Sequence, residues 1–141
     1  MGKRTWLLAL VVMPLISIAC SKLEAGVSTV TIVSPADAST AELLAAREVR
    51  RYLYLRTGEL PLIVRSKRKL PPKTNLIVVG QKDHPAVKVL TAGNAELASS
   101  VGSLAPQQYL IKTISRRRRQ TVLIAGGDSV GTLYAAYRFA E

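Results

Sequence analysis

Reactive side chains are scarce in this sequence. It has one cysteine, Cys20, and one histidine, His84. An intrachain disulfide is therefore excluded, and no cysteine–histidine cluster with metal-ligand spacing can be assembled. Aromatic residues make up only 5% of the chain, and none lies in its basic loops, where nucleic-acid readers place stacking platforms. Carboxylates number 9 against 20 lysines and arginines. Asp37, Glu42, Glu59 and Asp128 form no obvious pair of the kind that flanks a glycosidic bond. No apolar run reaches the roughly 20 residues that a membrane-spanning helix needs.

What is present is aliphatic and basic. Hydrophobic residues make up 48% of the 141, largely Val, Ile, Leu and Ala, which suits one small domain with a modest core. The formal charge of +11 favours anionic partners such as lipid headgroups, wall polymers or acidic sugars.

Residues 1–20 differ from the rest. Lys3 and Arg4 precede an apolar run from Trp6 to Ala19 that is broken only by Pro14 and Ser17. This is the pattern of a secretory signal peptide of a bacterial exported protein. Ser17-Ile18-Ala19-Cys20 fits either of two processing routes. It is similar to a lipobox, whose cysteine is lipidated and would provide the only membrane attachment, and it also fits ordinary cleavage after a small-x-small triplet. The domain proper is expected over residues 27–141, in a periplasmic, extracellular or lipid-anchored location.

Along that domain, Ser28 to Pro35 reads as a strand rich in β-branched residues. Ser39 and Glu42 make a capping box that opens a long helix, with Ala41, Ala45, Val49, Tyr52 and Leu53 on one face and Arg47, Arg50, Arg51 and Tyr54 on the other. Gly58 and Pro61 close it. Leu60 to Val64 reads as a second strand. Leu76 to Gly80 is a continuous apolar run, predicted to be buried on both faces. The stretch from His84 to Gly93 carries a short helix, with His84 itself expected in an exposed loop, and Asn94 to Pro106 reads as irregular. Gln107 to Ser115 and Gln120 to Gly127 are strands whose short connection, Arg116 to Arg119, favours an antiparallel pair. Ser129 to Glu141 is a helix with Asp128 as N-cap. The expected architecture is α/β (α+β): a small mixed sheet of about five strands with two main helices packed on one face.

Gly127-Asp128-Ser129-Val130-Gly131 fits G-x-S-x-G, the nucleophile elbow of serine hydrolases, and sits between a strand and a helix as an elbow should. A catalytic serine needs a histidine base and an orienting acid. His84 is the only histidine, it lies upstream, and the chain lacks the βα units of an α/β-hydrolase sheet. The same residues are expected instead to turn the chain tightly at Gly126 and Gly127, cap the helix with Asp128, and let it pack closely at Gly131. A phosphate loop fails here as well, because Asp128 breaks G-x-G-x-x-G and would itself occupy the anion position at the helix N-terminus. Arg116, Arg117, Arg118 and Arg119, with Lys67, Arg68, Lys69 and Lys73, are candidate contacts to an anionic ligand. The simpler reading is two solvated loops whose charge discourages edge-to-edge association.

Taken together, four stretches resemble the N-terminal domain of family 67 α-glucuronidases, a domain related to the one preceding the barrel in family 20 β-N-acetylhexosaminidases. They are TIVSPADASTAELLAAREVRRYLYLRTGELPLIV, LIVVG, QQYLIKTI and VLIAGGDSVGTLYAAYRFAE, in order over residues 28–141. The last carries Gly131, Leu133, Tyr134 and Tyr137. The resemblance implies a non-catalytic accessory domain of an exported glycoside hydrolase active on xylan-like polysaccharides or glycoconjugates. It implies a (β/α)8 catalytic barrel as partner, no cofactor, no metal and no nucleic acid. No catalytic residue carries over to this chain. It ends where that barrel would begin, with no glycine cap on its last helix, so the expectation is a fragment of a longer enzyme. The alternative is a stand-alone basic module or lipoprotein that binds anionic glycans through its arginine and lysine loops.

Overall fold

A computed structural model describes residues 30–72, 74–116 and 119–141. The leader, Cys20, Lys73, Arg117 and Arg118 lie outside the described residues. Nine elements follow one another: β1 (Val30–Pro35), α1 (Thr40–Thr57), β2 (Leu62–Ser66), β3 (Asn75–Gln81), α2 (Pro85–Thr91), α3 (Ala95–Gly102), β4 (Tyr109–Arg116), β5 (Arg119–Gly126) and α4 (Ser129–Ala140). The fold is α/β, as expected. Its five-stranded sheet has the order β2-β1-β3-β5-β4. β2, β1, β3 and β5 run parallel, while β4 pairs antiparallel with β5, from Tyr109 opposite Gly126 to Arg116 opposite Arg119.

The alternation of side chains along the strands builds two cores. Ile32, Ile77, Val79 and Ile124 face α1 and α4 and meet Ala45, Ala46, Val49, Ala135 and Ala136. Val33, Leu76, Val78, Leu123 and Ala125 face the other way and meet Val87 and Leu90 of α2 and Leu97 and Val101 of α3. β3 is thus covered on both sides, which is why its sequence reads as an unbroken apolar run. Each fully buried Ile, Leu or Val contributes about 1.5–3 kcal/mol. The two main helices do lie together on one face. The alanines between them permit close approach to the sheet, and Tyr52 meets Phe139 edge to face, with centroids 5.6 Å apart.

Two local expectations need correction. The stretch read as irregular contains α3. Asn94 accepts a hydrogen bond from Leu97 N–H and caps it, and Leu97 and Val101, one turn apart, supply its buried face. His84 is not an exposed loop residue. Its side chain is only 14% exposed, because it is the N-cap position of α2 and turns back over Gly80. A Cβ on Gly80 would lie 2.9 Å from Pro35 Cγ and 3.5 Å from His84 Cδ2, so the missing side chain lets both rings close over β3.

Candidate functional site

In an open α/β sheet the place for a ligand is the crevice beyond the carboxyl ends of the strands, where successive connections leave toward opposite faces. Here that crevice lies between β1 and β3. After β1 the chain passes to α1 on one face, and after β3 to α2 and α3 on the other. The residues gathered there are Asp37, Ser39, Glu42, Gln81 and His84.

Glu42 fills the crevice. It sits in the first turn of α1 and is fully buried. One carboxylate oxygen accepts from Ser39 N–H, Ser39 Oγ–H and Gln81 Nε2, at 2.9, 2.9 and 3.0 Å. The other accepts from Gln81 N–H at 3.0 Å. His84 Nε2 lies 2.8 Å from that second oxygen. The carboxylate lies off the N–H direction, so the two groups are in close contact without an aligned hydrogen bond. His84 Nδ1 lies 3.7 Å from the exposed Asp37. Burial acts to raise the Glu42 pKa, but the hydrogen bonds from Ser39 and Gln81 outweigh it and hold the carboxyl below its usual range. At this helix end Ser39 N–H is taken by the Glu42 carboxylate and Glu42 N–H by Ser39 Oγ, and the buried negative charge disfavours a phosphate there. A carboxylate held ionised by four hydrogen bonds is also a poor general acid or base. Among the described residues no group of three His, Cys, Asp or Glu side chains is placed to hold a metal ion.

The second place for chemistry is the turn after β5. Asp128 caps α4 as expected, accepting from Gly131 N–H at 2.7 Å. It also accepts from Gln107 N–H at 3.0 Å, which ties the loop before β4 to the turn. These backbone bonds hold the Asp128 carboxyl below its ordinary value, and Val130 N–H contributes to the same effect. An elbow serine needs the amide after it for the oxyanion hole, and here that amide faces Asp128. The turn is roofed as well. A Cβ on Gly127 would lie 2.0 Å from the Ala105 carbonyl oxygen, and one on Gly131 would lie 2.4 Å from that of Gln108. Gly131 thus makes room for the 104–108 loop. Among the described residues no hydrogen bond reaches the Ser129 side chain, and the only histidine is engaged at Glu42.

The basic loops come together, and the two described arginines of the four candidates reach backbone carbonyls of neighbouring segments. Arg119 donates to the Pro71 carbonyl at 3.1 Å. Arg116 reaches toward the Leu90 carbonyl at 3.5 Å, with its guanidinium packed on Gly93. They fasten the β4–β5 hairpin to the β2–β3 loop and to the end of α2. Lys82 is also turned in, donating to the Leu104 and Gly102 carbonyls at 2.6 and 3.2 Å beyond α3. Among the described residues Lys67, Arg68 and Lys69 are left as the outward cations of the β2–β3 loop. Removing the Arg119 clasp with Arg119→Ala is expected to cost about 1 kcal/mol, read as a lower midpoint of denaturant unfolding.

The capping box named Glu42, but its reach to Gln81, 39 residues away, is tertiary. Comparison with protein-family models gives no match, and comparison with curated proteins gives none either.

Proposed function

We propose that this chain is a non-catalytic accessory domain of an exported glycoside hydrolase of the α-glucuronidase type. The observation that carries the reading is the state of the crevice between β1 and β3, where Glu42 takes the place of a ligand and leaves no free acid–base pair. The four stretches of resemblance support it. In order they fall on β1–α1–β2, β3, β4 and β5–α4, and the first and last supply the paired helices of one face. The basic N-terminal leader supports export, with Cys20 as the residue processed or lipidated. Among the described residues no helix is long and apolar enough to cross a membrane. Its role is structural: it presents a rigid α/β layer against which a catalytic (β/α)8 domain is built.

The purified chain, assayed on aldouronic acids and aryl hexosaminides, is expected to give no turnover above buffer. Turnover that disappears with Ser129→Ala or Glu42→Gln would overturn the proposal.

A further inference from the structure

The surface that the domain leaves open lies at the β2 edge of the sheet. Among the described residues β2 pairs with β1 on one side only, and no described strand pairs with the backbone donors and acceptors of its other side. Ile63 turns toward the α1–α4 core. Leu62 and Val64 point to the opposite face, where no helix covers them: Leu62 is 72% exposed and Val64 36%. Leu60, just before the strand, is 58% exposed. Beside Val64 runs a shallow groove of about 510 Å3, walled by Leu70 and Pro71 of the β2–β3 loop.

Edge strands are usually blunted by charge, proline or a bulge within the strand. β2 itself carries one charged residue, Arg65, whose guanidinium donates to the Ala36 carbonyl of its own chain, and Pro61 is buried ahead of the paired residues. Three more cations stand just after the strand. Lys67, Arg68 and Lys69 are exposed, and among the described residues none of them pairs with a carboxylate. Two copies joined edge to edge would pair antiparallel and set each loop of three cations beside the other copy's Glu59–Leu60 end, which offers a single carboxylate. An acidic strand offers more, with apolar side chains for Leu62 and Val64 and carboxylates for the loop.

We propose that the β2 edge is a docking site for an extended acidic protein segment, which adds to the sheet as a sixth strand. Main-chain hydrogen bonds along β2 give it affinity. Its alternate apolar side chains cover Leu62 and Val64, and its carboxylates meet Lys67 to Lys69. The inference is independent of the accessory-domain reading, since it rests on the edge strand alone.

The test uses the whole chain and a synthetic peptide of alternating valine and glutamate. The control has the same sequence with alternate backbone nitrogens methylated, which keeps charge and side chains but removes the donors. The plain peptide is expected to bind at least about tenfold more tightly than the control, to shift the amide resonances of Leu62 to Ser66, and to weaken with salt. The double variant Leu62→Lys, Val64→Lys separates the contributions. It adds positive charge, so binding by charge alone would tighten, whereas strand addition weakens by about tenfold or more. Both positions are exposed, and an unchanged melting curve verifies the fold. Equal binding of peptide and control, or equal or tighter binding by the lysine variant, overturns the proposal. So does a concentration-dependent dimer that the lysine variant abolishes, because the occupant would then be a second copy of this chain.

Discussion

Glu42→Ala is expected to remove about 3–5 kcal/mol of folding stability, the range for breaking a buried charged network by deleting one member. Small domains are stable by about 5–15 kcal/mol, so the variant will be partly unfolded or nearly so at room temperature. The loss has an identifiable origin. Glu42 is completely buried and joins three segments: the α1 cap at Ser39, the end of β3 at Gln81, and the start of α2 at His84. Alanine leaves the Gln81 N–H, the Gln81 amide and the Ser39 N–H, all in part-buried hydrogen bonds, without their acceptor. Glu42→Gln keeps the shape but turns an NH2 group toward those donors, and is expected to cost about 1.5–3 kcal/mol. Denaturant unfolding followed by circular dichroism measures both. If both variants fall within about 0.5 kcal/mol of the parent, the range of an ordinary surface change, the crevice is not held by this carboxylate.

The same network sets a pH dependence. Glu42's folded-state pKa is lowered from 4.5. Its stabilising contribution is therefore fully present above about pH 4.5 and is lost as the pH falls through the depressed folded value. The protein is expected to lose stability on acidification below that point. Glu42→Gln should flatten this part of the profile while leaving the neutral range level. Asp37 and His84 face the same spot, which makes Glu42→Gln the control that isolates the Glu42 contribution.

The features legible in the sequence were local ones. Ser39 and Glu42 announced a capping box by spacing alone, and the box is present. Leu76 to Val79 announced a strand covered on both faces, because parallel strands in this class have no solvated side. The hairpin of β4 and β5 followed from two apolar runs with a short basic connection. What escaped was long-range or compensated. α3 carries few apolar residues, and its signal was an asparagine cap beside small residues that equally suit a loop. His84 stood among polar residues and a proline, and only the approach of β3 through Gly80 buries it. Arg119 and Pro71 are 48 residues apart, so charge pattern gave no hint that two basic loops would be fastened together.

The second large effect is expected at the turn after β5, and it decides what the G-x-S-x-G pentapeptide is for. Gly127→Ala should cost about 3 kcal/mol or more, at the upper end of overpacking penalties. The added methyl would lie 2.0 Å from the Ala105 carbonyl oxygen, 2.7 Å from its carbon and 2.9 Å from the Leu104 carbonyl oxygen. These are backbone atoms, and they are held in place. Lys82 Nζ grips the Leu104 carbonyl at 2.6 Å, and Gly127 N–H itself donates to Gln108 at 2.8 Å. The loop cannot retreat without breaking those bonds. Gly126→Ala meets a different obstacle, the first turn of α4, with its methyl 2.1 Å from Thr132 N and 2.6 Å from the Asp128 carbonyl oxygen. Gly102→Ala, at the end of α3, meets nothing within 4 Å, and is expected to be neutral or to stabilise by up to about 0.5–1 kcal/mol through helix propensity. Ser129→Ala should stay within about 0.5 kcal/mol, because Asp128 does the capping. A catalytic elbow would show another pattern: glycines that tolerate alanine in stability but not in turnover, and a serine whose loss abolishes reaction. Measured by thermal melts across the four variants, large losses at Gly126 and Gly127 with none at Ser129 would identify Gly126 as the space for the first turn of α4 and Gly127 as the space for the 104–108 loop that closes over it. A stable Gly127→Ala would mean that the loop stands away from the turn, and the serine would again face an open surface.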